Sequence, residues 1–155
     1  MRFLRKAKLF LPLILILTFM GTALASDIIL NDLNGKPVNL SSYKMKPTIL
    51  FFWTTWCPYC RKEIIELNRL YPEMKKEGIS VLAINIGEAD DKVQNFFKDF
   101  DVNLRVLLDV DSLSAEEYNV MGVPTYVFIS DSGSLISDRH NLPENYRSLL
   151  FKLEK

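Results

Sequence analysis

The sequence predicts one α/β domain, a mixed central sheet with helices on both faces and an N-terminal hairpin ahead of it. Three observations predict it. Apolar runs suited to buried strands alternate with amphipathic stretches at helical spacing, as in Thr48 to Trp53 followed by Ile64, Leu67, Leu70 and Met74. A hairpin signal, Asn34-Gly35 between Ile28-Ile29-Leu30 and Val38/Leu40, opens the folded part. Near the other end, Asp131-Ser132-Gly133 forms a turn between two strand-like runs before a closing helix.

The elements follow in order. Thr48 to Trp53 is a buried strand, and a helix runs from about Pro58 to Lys76. Pro58 suits its first turn, where the missing N–H would be unpaired in any case. Pro72 is expected to kink or interrupt the helix, and Gly78 to end it. Ile79 to Ile86 is nearly continuous apolar sequence, suited to a central parallel strand covered on both faces. Asp91 to Phe100 carries Val93, Phe96, Phe97 and Phe100 on one side, a second helix. Arg105 to Leu108 reads as a short strand or edge segment. Ser114 to Glu117 has capping-box spacing and opens a short helix ending near Asn119. Tyr126 to Ile129 is a strand, Leu135-Ile136 returns beside it, and Asn145 to Leu153 is a last helix with Tyr146, Leu149, Leu150 and Leu153 inward.

The start of the chain reads as an export signal. Arg2, Arg5, Lys6 and Lys8 precede the uncharged stretch Leu9 to Met20, and Thr22-Ala23-Leu24-Ala25 supplies the small residues of a cleavage site after Ala25. The apolar stretch is short for a spanning helix, so residues 1–25 are expected to be a cleaved signal peptide, with an uncleaved anchor as the alternative. Residues 26–155 are then the folded domain. At 48% hydrophobic and 25% charged, about 130 residues can bury one core without disulfide scaffolding. The whole chain has a formal charge of zero; removing the four leader cations leaves 15 basic against 19 acidic residues. A net −4 domain with no basic stripe argues against nucleic acid as a partner.

Cys57 and Cys60 are the only cysteines, set in Trp56-Cys57-Pro58-Tyr59-Cys60 where the strand ends and the helix begins. Unpaired amide N–H groups and the positive end of a helix stabilise a thiolate, the species that attacks a disulfide. Cys57 is therefore the expected nucleophile, and Cys60 the thiol that closes back on a mixed disulfide. A zinc site would need more ligands than two cysteines and the single histidine, His140, can supply. A purely structural disulfide would close too short a loop to stabilise much. His140, far along the chain, receives no role, and Arg61 and Lys62 read as solvated helix residues.

The chain resembles the thioredoxin superfamily, and most closely its extracytoplasmic TlpA/ResA-like branch. The resemblance rests on Phe52-Trp53-Thr54-Thr55-Trp56-Cys57-Pro58-Tyr59-Cys60-Arg61-Lys62-Glu63, on Ala83 to Glu88, on Val120-Met121-Gly122-Val123-Pro124-Thr125 and on Phe128 to Gly133. It covers about Ile28 to Leu153. It implies a thioredoxin-like fold in which Pro124 is the cis proline facing the active-site pair. The backbone beside Val123 is then free to pair with an extended substrate, and Thr125 flanks the site. Glu63 matches an acid that the branch keeps near its redox centre, where it can tune the thiols or accept a proton. Trp56, with Pro58 and Tyr59, would offer contact surface to a partner. Two departures stand out: Phe51 replaces the buried acid of classical thioredoxins, and Ile64-Ile65 replaces a proline common after the glutamate.

The resemblance implies an exported thiol-disulfide oxidoreductase with no organic cofactor and no metal, expected as a monomer. Its substrates would be envelope proteins carrying disulfides, apocytochromes c among them, and a membrane thiol reductase would be its electron donor. Two rival readings stay open. One is a disulfide-forming oxidant or isomerase. The other is a soft-metal chaperone binding Cu(I) through Cys57 and Cys60 with Met121 nearby, although Met121 also reads as ordinary packing.

Overall fold

A parallel strand-helix-strand unit carries the rest of the domain. The computed structural model describes residues 27–151; the expected leader and Leu153 lie outside them. Strand β3 (Thr48–Trp53) is buried at all six positions, which is why its sequence is apolar without alternation. Its odd residues Ile49, Phe51 and Trp53 pack on one side and Leu50 and Phe52 on the other. Helix α1 (Pro58–Lys76) follows and returns the chain to β4 (Ser80–Ile86), parallel to β3 in the register Thr48↔Ser80 to Trp53↔Asn85.

Seven strands form one mixed sheet in the order β2-β1-β5-β4-β3-β6-β7. β1 (Ile29–Asp32) and β2 (Pro37–Asn39) make the expected hairpin, with Gly35 at φ +72° and its N–H donating to the Asp32 carbonyl. β5 (Arg105–Asp109) runs parallel to β4 and pairs with β1 on its other side. It is thus an internal strand, not an edge: the hairpin folds back across it. β6 (Thr125–Ile129) is antiparallel to β3, and β7 (Leu135–Arg139) is antiparallel to β6.

Helix α1 turns Cys60, Ile64, Leu67 and Met74 onto the β3 face. A fully buried side chain of this size contributes about 1.5–3 kcal/mol. Pro72 does not interrupt the helix, which continues to Lys76. Its missing N–H removes one helical bond, while Leu67 and Met74, buried on either side, anchor the helix to the sheet. At the end Ile79 N donates to Met74 O and Gly78 N to Lys75 O, with Gly78 at φ +78°: a Schellman stop.

Helix α2 (Asp90–Phe97) and α4 (Tyr146–Leu150) lie on the α1 side, through Val93 and through Tyr146 and Leu150. Phe100 falls beyond α2 yet still meets Phe96 and Phe97 edge-on. Helix α3 (Leu113–Glu117) packs Ala115 on the opposite face, beside a 3₁₀ turn over Leu40–Tyr43. The capping box expected at Ser114 does not form. Ser114 lies inside the helix, and the Asp109 carboxylate at the end of β5 accepts from Ser114 N, Ala115 N and Ser114 Oγ. A buried acid delivered by the sheet has displaced the local cap.

Candidate active site

β3 ends at Trp53, and Thr54-Thr55-Trp56 carries the chain over the sheet edge into α1. Cys57 is the N-cap of the helix, extended at φ −82° and ψ 113°, with Pro58 following it in the first turn. Its Sγ accepts from Cys60 N at 3.2 Å, so sulfur takes the place an oxygen cap usually holds. Cys57 and Cys60 are joined by a disulfide, with Cα atoms 5.2 Å apart. Cys60 is wholly buried and Cys57 is 4% exposed, while their neighbours Trp56 and Tyr59 are 65% and 71% exposed. Only the Cys57 edge of the pair can be approached from solvent.

The loop before β6 closes the other side. Val123 O lies 3.8 Å from Cys57 Sγ, and the Val123–Pro124 peptide is cis. Thr125 Oγ1 donates to Gly122 O at 2.8 Å and so holds the loop's bend. Met121 is 96% exposed, so the packing expected of it is absent. It lines an open groove together with Trp56, Val120 and Val123.

Glu63 lies one helical turn past Cys60 and is half-buried. Its Oε2 accepts from Tyr126 Oη at 2.7 Å and from Leu142 N at 3.3 Å. Burial, and then the bond to the Glu63 carboxylate, push the Tyr126 phenol far above its ordinary range. The two residues tie α1 to β6 and to the segment after β7. His140 also reaches the site: its Nδ1 is 3.0 Å from Pro124 O. Sequence reading assigns it no role because no local pattern says that this segment folds back over the proline loop.

Two more contacts escape the sequence. Arg61 is exposed on the helix, as read, yet its Nε donates to Thr55 O at 2.9 Å and its guanidinium lies over the Phe96 ring. Glu88, on the loop after β4, is buried and accepts from Thr55 N, Thr55 Oγ1 and Asn85 Nδ2, with Lys92 Nζ 2.6 Å away. Burial alone would raise its carboxyl; Lys92 and the Thr55 and Asn85 donors outweigh that and hold it below the ordinary carboxylate range. Among the described residues no group of three or more His, Cys, Asp and Glu side chains is gathered as a metal site.

A cysteine pair opening a helix beyond a parallel strand, faced by a cis proline from an antiparallel neighbour, defines a thioredoxin-fold protein with a redox-capable disulfide. The AhpC/TSA family profile matches residues 22–137, and the chain belongs to that family. It is 38% identical over 112 residues to the thiol-disulfide oxidoreductase ResA of Bacillus subtilis, across 72% of this chain and 63% of that protein. The matched stretch thus spans less than two thirds of that relative's length. Among solved structures, the exposed lipoprotein thioredoxin Etrx1 of Streptococcus pneumoniae superposes with a TM-score of 0.69 at 27% identity, covering 80% of this chain and 98% of that one. A secreted Mycobacterium tuberculosis disulfide oxidoreductase homologous to E. coli DsbE gives 0.66 at 27%, covering 76% and 85%. No helix among the described residues is long and apolar enough to cross a membrane.

Proposed function

We propose that the protein is an extracytoplasmic thiol-disulfide oxidoreductase that reduces disulfides in envelope proteins, apocytochromes c among them. The observation that carries this reading is the Cys57 sulfur: it caps a helix N-terminus, bonded from Cys60 N at 3.2 Å, and lies 3.8 Å from the Val123 carbonyl. In the reduced protein that cap stabilises a Cys57 thiolate. The thiolate attacks one sulfur of the substrate disulfide, a Cys57–substrate S–S bond forms, and the second substrate sulfur leaves as a thiolate and takes up a proton. Cys60, as thiolate, then attacks Cys57 Sγ. The Cys57–Cys60 bond forms, the mixed disulfide breaks, and two electrons have passed to the substrate.

The remaining residues have binding or proton-handling roles in this reading. An extended substrate pairs with the backbone at Val123 beside Pro124 and Thr125, and its flanking side chains rest on Trp56, Pro58 and Tyr59. Glu63 exchanges a proton as Cys60 becomes a nucleophile. A membrane thiol reductase restores the dithiol. The leader-like residues 1–25 and the names of the relatives, a secreted oxidoreductase and an exposed lipoprotein, support action outside the cytosol.

The test is the reduction potential of the Cys57–Cys60 pair in protein lacking residues 1–25, equilibrated with glutathione or dithiothreitol buffers. A value at or below about −270 mV supports the reductase, and one approaching about −120 mV replaces it with a disulfide-forming oxidant.

A further inference from the structure

Glu88 is a buried carboxylate that the disulfide chemistry does not use, and its contacts converge on one residue of the active-site turn. Thr55 stands two positions before Cys57. Its amide N–H donates to Glu88 Oε2 at 2.6 Å and its hydroxyl to Glu88 Oε1 at 2.8 Å. Its carbonyl accepts from Arg61 Nε at 2.9 Å. Every polar atom of Thr55 is therefore committed, and both peptide units flanking it are held. The acceptor is itself fixed: Asn85 Nδ2 donates to Oε2 at 2.8 Å, and Lys92 Nζ pairs with Oε1 at 2.6 Å. Asn85 belongs to β4 and sits in register with Trp53, the last residue of β3.

We propose that Glu88 is a positioning residue for the attacking sulfur, clamping Thr55 so that the turn delivers Cys57 in the N-cap conformation. This rests on the reading of Cys57 as the attacking thiol. The physical link is short. A sulfur gains from the helix N-terminus only while it faces the first-turn amides, here Cys60 N at 3.2 Å. Trp56 alone separates the clamped residue from Cys57, so slack at Thr55 passes directly into the Cys57 torsions. A carboxylate suits the task because two acceptor oxygens satisfy an amide and a hydroxyl of one residue together, and charge-assisted bonds are the stronger kind. Lys92 pairs with Glu88 directly, so the carboxylate's charge is compensated where it lies, while Arg61 holds the carbonyl side of Thr55.

The clamp and the charge predict opposite effects. Removing a nearby negative charge would ease ionisation of Cys57, whereas loosening the turn would weaken the thiolate's amide contact and hinder it. Two neutral replacements separate them, because Glu88→Gln and Glu88→Ala delete the same charge while only glutamine keeps an acceptor for Thr55 N–H. In a Cys60→Ser background one thiol remains, and the pH dependence of its alkylation by iodoacetamide reports Cys57 directly. The Cys57 thiol should titrate about half a pH unit higher in Glu88→Ala than in Glu88→Gln. Coincident titrations, or a lower one in Glu88→Ala, would overturn the proposal. If the alanine variant does not fold, Thr55→Val against Thr55→Ser asks the same question, since serine restores the hydroxyl; valine should titrate higher, and equality overturns the role. A Cys57 that stays unreactive in the reference protein would instead remove the attacking-thiol reading itself.

Discussion

Tyr126 donates its phenolic O–H to Glu63 Oε2 at 2.7 Å, linking the antiparallel strand β6, one place in from the sheet edge, to the first turns of the cysteine-bearing helix. Tyr126 has no solvent exposure and packs its ring 4.7 Å from that of Phe51. Where classical thioredoxins place a buried acid on the strand before the site, this chain thus has a phenylalanine packed against a tyrosine that presents its hydroxyl to the helix acid.

Tyr126 should stay protonated while the protein is folded. Its folded pKa is raised, so its contribution to stability is complete below the unfolded phenol value of about 10 and is lost as pH rises above it. Absorbance at 295 nm should show one tyrosine that ionises only as the protein unfolds in base. Tyr126→Phe should lower stability by about 1.5–3 kcal/mol, the range for a hydrogen bond to a charged group, as read from urea midpoints. A loss of a few tenths would mean that Leu142 N–H alone satisfies Glu63.

Cys60→Ser should accumulate a mixed disulfide between Cys57 and a protein substrate, because the resolving thiol is gone. Cys57→Ser should form none. Non-reducing gels of each variant incubated with an oxidised protein substrate check this. Normal turnover by Cys60→Ser would contradict the dithiol route.

The Glu88 clamp should weaken in acid. Its folded carboxyl lies below the ordinary value, so its stabilisation is present above the unfolded pKa of about 4.3 and disappears as pH falls through the folded one. Wild type should exceed Glu88→Gln in urea midpoint at pH 7, and the gap should close as the pH is lowered toward 3. A gap that does not change with pH would show that the charge is not what stabilises.

Gly133→Ala should cost more than Gly35→Ala. Both glycines have positive φ, +81° and +72°, which costs a side-chain-bearing residue about 1–2 kcal/mol. At Gly35 an added Cβ meets nothing within 4 Å, whereas at Gly133 it lies 2.8 Å from Met45 Sδ and 3.0 Å from Lys44 O. Thermal unfolding of the two variants should separate them, with Gly133→Ala melting lower.

Much of this architecture is legible locally. The bounds of β3 and α1 follow from an apolar run meeting a helical repeat, with Pro58 in the first turn. Gly35 and Gly78 mark the hairpin turn and the helix stop because only glycine takes positive φ without strain. Legibility fails where a distant group overrides a local rule. Ser114 has capping-box spacing, but Asp109 arrives from β5 and takes the cap. Pro72 is expected to kink or interrupt α1, but the helix runs on to Lys76, held to the sheet by the buried residues around the proline.

The sequence alone determines the cysteine pair, its place at a strand-to-helix turn and the elements on either side, because each depends on residues within a turn or two of one another. Tertiary structure decides what surrounds the pair. Val123 comes to the Cys57 sulfur from 66 residues away, Glu88 reaches Thr55 across 33, and Tyr126 meets Glu63 across 63. Such contacts are set by strand register and chain crossover, and no periodicity encodes them. A helix start can supply the field that favours a thiolate, but only the folded sheet can fix where that sulfur points and what meets it.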